Sequence, residues 1–467
     1  MPPLCVDLDG TLLRTDLLHE GLLRLIRRPA TLLGLLHALR RGRACFKRAV
    51  AEAAALDLAS LPLHPAMLAY VDAERRNGRE LALYSSADSS QVQTLAAQIG
   101  LFDHAEGSDG TVNLAGRRKL EAIRARYGDH FAYAGNAPVD LAIWGGARAA
   151  VVVGDRGLAR QVAAIAPLEA TFPASGRITA WARALRLHQW AKNLLLFVPV
   201  LLAGPMAGFG THLATALGFL TFSFLASAGY VINDLLDLDA DRRHHRKRYR
   251  PFATGELPIV HGVAAIGLLL CLAIAGCALL PAAFDLMAAG YFVGTLAYSL
   301  GLKRIPLLDV LVLAGLFTVR VLAGAVLLPV PASLWLLTFS MLLFMSLALV
   351  KRYAELAEVA GNGGAMIENR GYTVEELLLL MVLGCSSAMA ATVLFLIYLI
   401  NEHFPSGLYR EPRWLWLIFP VLLYWLMRIW LLTVRGRMHD DPVLFALKDP
   451  LSIGLGCAVL VLLALAW

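Results

Sequence analysis

The spacing of apolar and polar residues divides the chain in two. Through about residue 180, short apolar runs alternate with helical patterns; beyond it, long apolar blocks are separated by short charged loops. Leu4–Leu8 reads as a buried strand entering a glycine turn, Leu81–Ala87 as a strand ending in hydroxyls, and Ala149–Asp155 as a further buried strand. Between the first two, Arg14–Asp72 carries helical periodicity and repeated leucines, as a helical cap would. Strands alternating with helices predict an α/β fold, a doubly wound parallel sheet with its working residues at the strand C-terminal ends. TFPASG, Thr171–Gly176, has the composition of a turn and marks a boundary. An amphipathic stretch follows, in which Trp190 and Lys192 read as interface anchors. The remainder predicts an all-α membrane bundle of nine transmembrane helices, at about 192–209, 213–234, 258–279, 284–301, 308–328, 333–350, 376–400, 414–433 and 451–467. The domains expected are thus 1–172 with a cap at about 14–75, a linker and interfacial helix at 173–191, and the bundle at 192–467.

Composition agrees with this division. The chain has 467 residues, 58% of them apolar, and a mean hydropathy of +0.62, too apolar for a wholly soluble protein. The net charge of +7 comes from Lys and Arg gathered in the loops of the membrane half. That suits a bilayer with anionic headgroups and phosphorylated substrates; no nucleic-acid motif is present. Arg242–Arg250, Lys303–Arg304, Lys351–Arg370 and Arg435–Lys448 are the basic loops, and the first three alternate loops carry no Lys or Arg. The basic loops are therefore expected to face the cytosol from an inner (plasma) membrane, with the N-terminal domain on the same side and the C-terminus outside. The chain opens on a strand and an acidic motif instead of a signal-peptide pattern, which agrees with that placement. Six cysteines form no metal-ligand spacing, and packing is their expected role. The sequence is compatible with an oligomer but does not specify one.

Asn233–Gly255, NDLLDLDADRRHHRKRYRPFATG, is the most chemically informative stretch. Four aspartates and then a run of cations end an apolar helix. If the helix continues, Asn233, Asp237 and Asp241 fall at i, i+4 and i+8 with Asp234 beside them, while Asp239 points elsewhere. Crowded carboxylates repel one another unless a hard divalent cation sits among them, and Mg²⁺ shared with substrate phosphates fits. Arg248 and Arg250 follow, suited to phosphate oxygens. Further candidates are Lys303, Asp309 and Arg320, and at the end of the sixth block Lys351, Arg352, Tyr353 and Glu355. Arg320 reads either as one side of an ion pair inside the bundle or as a phosphate contact.

Two family resemblances follow from these motifs. PLCVDLDGTLL resembles the first motif of the haloacid dehalogenase (HAD) superfamily, D-x-D-G-T. The resemblance implies Asp7 as the nucleophile that forms an aspartyl-phosphate and Asp9 as the acid and base. LALYSSA would supply Ser85 (or Ser86) to the transferred phosphoryl group, GRRKLEAI would supply Lys119, and YAGNAPVDLAIW would supply Asn136 and Asp140. Asp7, Asp9, Asn136 and Asp140 would hold one Mg²⁺, although Asn136 stands where that family usually has Asp. The basic stretch at 35–48 reads as a solvated cap helix or as one lying on the membrane surface.

N-D-x-x-D-x-x-x-D resembles the first acidic motif of the UbiA superfamily of intramembrane prenyltransferases over about residues 180–467. This implies a second Mg²⁺ held by Asn233, Asp234, Asp237 and Asp241, with Asp234 and Asp237 essential. Aromatic prenyltransferases of that superfamily carry D-x-x-x-D where this chain has KRYAEL. With YSLGLKRIPLLD and RGRMHDDPVLFALKD, this resembles the decaprenyl-phosphate phosphoribosyltransferase branch. Those enzymes move 5-phosphoribose from phosphoribosyl pyrophosphate (PRPP) to polyprenyl phosphate and release pyrophosphate. Lys192, Arg248, Arg250, Lys303, Asp309, Arg320, Lys351, Arg352, Tyr353 and Glu355 would line the substrate phosphates. The HAD half would then remove the 5-phosphate. Two other readings are an aromatic prenyltransferase using a prenyl diphosphate, and a scaffold with an inert HAD domain.

Overall fold

Six strands form one parallel sheet in the order β3-β2-β1-β4-β5-β6. They are β1 (Leu4–Asp7), β2 (Leu81–Asp88), β3 (His104–Ser108), β4 (Ala132–Gly135), β5 (Ala149–Gly154) and β6 (Leu168–Pro173). The computed structural model describes all residues except 174–175, 205–206, 368–369, 405–408 and 439–440. Part of the expected boundary turn and the centre of the last basic loop therefore lie outside the described residues. β1 pairs with β2 on one side and β4 on the other, all in parallel register. Its four residues are all buried, as the apolar run predicts for a strand covered on both faces.

The insertion after β1 forms α1 (Leu17–Leu25), α2 (Pro29–Arg40) and α3 (Arg43–Ala54). Leu25, Leu35, Val50 and Ala54 give it a small core of its own. The basic stretch at 35–48 is not one helix: Gly42, at φ +116°, separates α2 from α3. The expected cap is also shorter than predicted, because α4 (Pro65–Arg76) buries Met67 and Val71 with the sheet residues and belongs to the α/β domain.

By packing, one compact unit contains Met1–Leu185 and Tyr230–Ile266, and the other contains Arg186–Gly229 and Gly267–Trp467. The aspartate-bearing segment is thus part of the first unit. Leu23, Ala180, Ala184, Val231, Leu235, Phe252 and Leu257 share a buried apolar cluster there. The sequence divides the chain by composition, and the aspartate segment crosses that division because its apolar flank is covered by N-terminal residues.

Among the described residues, seven helices are long and apolar enough to cross a membrane. They correspond to the second through eighth expected spans, and the sixth runs on to Gly361, placing KRYAEL inside a helix. The first and ninth correspond to shorter apolar helices, Leu187–Ala203 and Pro450–Ala466. The first begins as a 3-10 stretch, Leu187–Leu196, and is α-helical only over Phe197–Ala203. Trp190 is not simply an interface anchor: its indole donates to the Ser227 hydroxyl at 2.9 Å and packs edge-on to Phe219 and Phe224.

Candidate active sites

Asp7 ends the central strand, and the residues expected around it assemble from four separate segments. Its Oδ1 accepts from Lys119 Nζ at 2.6 Å, and the Thr11 hydroxyl lies 3.4 Å from its Oδ2. The same hydroxyl is 3.2 Å from Asn136 Oδ1. Lys119 also donates to the Tyr133 hydroxyl at 3.2 Å, and that hydroxyl donates to Asp140 Oδ1 at 3.2 Å. Asp7, Lys119 and Asp140 are buried. The turn after β1 needs glycine twice over: Gly10 has φ +78°, and a Cβ there would meet Asn136 Nδ2 at 2.0 Å.

Asp9 faces differently. It accepts from the Leu17 amide and the Ser85 hydroxyl, each at 3.0 Å. Burial, then Asp16 and Asp7, push its carboxyl up to about 7, the range useful to a proton donor at neutral pH. Burial and Asp7 push Asp140 up to about 6. Burial alone would lower the Lys119 ammonium, but Asp7 and Asp140 hold it above its ordinary value. The expected metal set is thus brought together only in part: Asp7, Asn136 and Asp140 share one network, while Asp9 is turned to Ser85 and Leu17. Ser85 spends its hydroxyl on Asp9, because it faces inward at the end of β2. Ser86 points instead toward the cap, where Lys47 donates to its carbonyl at 2.7 Å and its hydroxyl at 2.9 Å.

In the aspartate segment, the predicted unbroken helix ends at Leu236 and restarts at Leu238. Asp234 and Asp241, two turns apart, are buried and share one guanidinium: Arg250 lies 3.1 Å from Asp234 and 2.6 Å from Asp241. Burial raises the Asp241 carboxyl despite that pairing. Asp237 is not on this buried side. It is half-exposed and meets Arg27 at 3.2 Å, while Asp239 meets Arg24 at 3.7 Å. Asn233 lies beside Asp234 in the same helix. Arg248 is not drawn to the aspartates; it stacks on Tyr249 and donates to its hydroxyl at 2.8 Å.

In the second unit, Lys192 and Lys351 both reach Asp441 Oδ2, at 2.8 and 3.6 Å. Asp441 caps the short helix Pro442–Ala446 with its other oxygen, 3.1 Å from the Val443 amide. Burial alone would raise its carboxyl, but the two ammonium groups hold it below the ordinary value. Lys192 is therefore a largely enclosed cation paired with Asp441 and not an interface anchor. Lys303 lies half-buried in the turn Leu302–Arg304.

Three expected phosphate ligands have other partners. Asp309 and Arg352 are both fully buried and pair with each other. Arg352 also donates to Glu355 at 2.5 Å and to the Tyr298 hydroxyl at 2.9 Å, and the Tyr372 hydroxyl donates to Asp309 at 2.5 Å. A carboxylate and a guanidinium so enclosed compensate each other's charge inside the bundle. Arg320 donates to Asn193 Oδ1 at 2.8 Å, to the Leu316 carbonyl at 2.6 Å and to the Tyr291 hydroxyl at 2.9 Å. Its sequence alternative, a role inside the bundle, describes this better than phosphate contact, although the partner is an amide and a phenol instead of an acid. Tyr353 packs edge-on to Trp430.

Sequence reasoning missed Lys47, Glu20 and Arg242 as partners, and Asp441. Arg242 donates to Glu20 through two nitrogens, at 2.6 and 3.1 Å, and the Thr15 hydroxyl donates to Glu20 at 2.6 Å. Only an isolated acid in the apolar LLHEGLLRL of α1 signalled Glu20.

Among the described residues, no group of three or more His, Cys, Asp or Glu could hold a metal alone. Both carboxylate groups offer hard oxygen donors, and each already contains a side-chain cation, Lys119 or Arg250. Mg²⁺ usually takes only one or two carboxylates and completes its shell with water and substrate phosphate. Asp7, Asn136 and Asp140 fit that mode, as do Asp234 and Asp241.

The model of the UbiA prenyltransferase family matches residues 194–464. An uncharacterized protein, y4nM, of Sinorhizobium fredii is 40% identical over 98% of this chain and 89% of its own length. A decaprenyl-phosphate phosphoribosyltransferase of Mycobacterium tuberculosis is 30% identical over 64% of this chain and 94% of its own. Among solved structures, a UbiA homolog from Archaeoglobus fulgidus bound to GPP and Mg²⁺ matches 62% of this chain and 98% of its own at TM-score 0.45 and 19% identity. With the family model covering more than half of its residues, the chain belongs to the UbiA prenyltransferase family and is an integral membrane transferase.

Proposed function

We propose that the chain transfers 5-phosphoribose from PRPP to a polyprenyl phosphate, and that its N-terminal domain then removes the 5-phosphate. The observation carrying the first step is the charge at KRYAEL. Where a second acidic motif would bind another metal, Lys351 and Lys192 flank a single carboxylate, Asp441, leaving positive charge for a phosphate. The 30% identity to a decaprenyl-phosphate phosphoribosyltransferase across nearly all of that enzyme's length agrees.

In this reading a lipid phosphate oxygen attacks C1 of PRPP, the C1–O bond to pyrophosphate breaks, and pyrophosphate leaves with the electron pair. Asp234 and Asp241, with Asn233 and Asp237 nearby, would hold Mg²⁺ there, which neutralises the leaving pyrophosphate when bound. Arg250 orients the two carboxylates, and Lys192 and Lys351 hold phosphate charge. No protein nucleophile is needed; positioning and charge neutralisation carry the step.

In the N-terminal domain, Asp7 attacks phosphorus and the bond to the ribose oxygen breaks. Asp9 protonates the departing alcohol and then takes a proton from the water that releases phosphate. Lys119 donates to Asp7 and fixes its orientation. Asp7, Asn136 and Asp140 would hold the Mg²⁺ of this site, which offsets the charge of two anions meeting. The nine-span arrangement, with basic loops and both sites cytosolic, belongs to the same proposal.

The test supplies purified protein, Mg²⁺ and polyprenyl phosphate with labelled PRPP, or a 4-hydroxybenzoate acceptor with labelled geranyl diphosphate. Label from PRPP should enter the lipid, and Asp234→Asn should reduce it by about a hundredfold. Label entering only from geranyl diphosphate makes the chain an aromatic prenyltransferase, and label from neither makes it a non-catalytic protein.

A further inference from the structure

Among the side chains the cap contributes to the cavity at Asp9 is one cation, Lys47, that neither sequence motif includes. That cavity is lined by Asp9, Asp16, Lys47, Ser86, Asp88 and Gln91 among others. Lys47 projects from α3, and both of its hydrogen bonds end on oxygens without formal charge, the Ser86 carbonyl and hydroxyl. Its neighbour Arg48 turns instead to Asp88, at 3.3 Å. An ion pair thus also joins the cap to β2, and the Lys47 ammonium hydrogen-bonds neutral acceptors in a cavity that Asp9, Asp16 and Asp88 line as well.

Position gives this cation a direction. Asp7 and Lys119 mark where phosphorus is attacked, and Asp9 marks where the departing oxygen is protonated. Lys47 shares the cavity of Asp9 and not the network of Asp7, so it stands on the side of the leaving group. A charge-assisted bond to an anionic oxygen is about twice as strong as one to a neutral oxygen, so an anion there displaces Ser86 from the ammonium. We infer that Lys47 is a specificity-determining residue that binds a second anionic group on the leaving-group side of the phosphate ester. This deepens the phosphatase reading and rests on it. The substrate class it selects is a sugar 5-phosphate whose anomeric carbon carries a phosphodiester, in preference to a sugar 5-phosphate that is neutral there.

The test uses the full-length protein with Mg²⁺ and two soluble esters. One is methyl β-ribofuranoside 5-phosphate, and the other is ribose 5-phosphate with a methyl phosphodiester at C1. Each has a single phosphomonoester, so released phosphate reports the same bond. The wild type should favour the diester in kcat/KM by about tenfold, the scale of one charge-assisted contact. Lys47→Met should raise KM for the diester and bring the ratio of the two substrates close to one, and Lys47→Arg should restore it. Arg48→Met should keep the wild-type ratio even where both rates fall. A Lys47→Met enzyme that retains the preference, or a wild type that shows none, overturns the inference while leaving the phosphatase intact. If neither ester yields phosphate and Asp7→Asn behaves as wild type does, the phosphatase reading fails and takes the inference with it.

Discussion

Asn136 supplies an amide oxygen where the resembled motif has a carboxylate, and its surroundings show how tightly it is held. Thr11 reaches its Oδ1, and its amide nitrogen lies against Gly10, where no side chain fits. Exchanging amide for acid keeps the shape and adds one negative charge beside Asp7 and Asp140. Asn136→Asp is therefore expected to lower the Mg²⁺ concentration giving half-maximal phosphate release by about tenfold. A metal titration of phosphate release checks this, and an unchanged midpoint would place the metal away from Asn136.

Residues of this site were legible to the extent that motifs fix strand ends. Asp7 and Lys119, 112 positions apart, meet as the motif order implies. Lys47 and Asp441 were not legible as partners, because their roles depend on which helix packs beside them; Lys47 was read only as part of the basic stretch at 35–48, and Asp441 only as part of RGRMHDDPVLFALKD. Arg352 and Asp309 were read as phosphate ligands because a charge in an apolar block signals function and enclosure equally. Only packing distinguishes the two, and here both are fully enclosed.

At the scale of elements, α1 and the aspartate segment are joined by paired charges within one compact unit. Arg242 and Glu20 are both buried, whereas Arg27–Asp237 and Arg24–Asp239 are partly exposed and screened. The buried pair should therefore dominate. Arg242→Met leaves Glu20 uncompensated and is expected to cost about 3–5 kcal/mol, whereas Arg24→Met should cost under about 1 kcal/mol. Thermal unfolding of the detergent-solubilised protein measures both, and Glu20→Leu in the Arg242→Met background should recover part of the loss. Equal effects at the two arginines would mean that the buried pair does not fix the segment. The sequence showed an acidic segment at the end of an apolar helix but placed it with the membrane half. Leu235, Phe252 and Leu257 look like helix-end residues locally, and their burial with Leu23 and Ala184 is a non-local fact.

For the whole molecule, apolar block length located the long helices because about twenty residues are needed to cross the hydrocarbon. It was less informative for the first block, where a 3-10 stretch precedes a short α-helix. Loop charge predicts the orientation, which can be tested directly. In a variant lacking the six native cysteines, Leu279→Cys should react with an impermeant maleimide in intact cells. His245→Cys should react only after permeabilisation. The reverse pattern would put the aspartate segment outside.

In the proposed function, one chain builds a phosphoribosyl lipid and then trims it. Mass spectrometry of the lipids formed from PRPP, polyprenyl phosphate and Mg²⁺ tests this most directly. The wild type should yield polyprenyl phosphate enlarged by one ribose, and Asp7→Asn should stop at the species that retains the 5-phosphate. No PRPP-dependent lipid would contradict the transferase, and the 5-phosphorylated lipid accumulating equally in both proteins would contradict the trimming step.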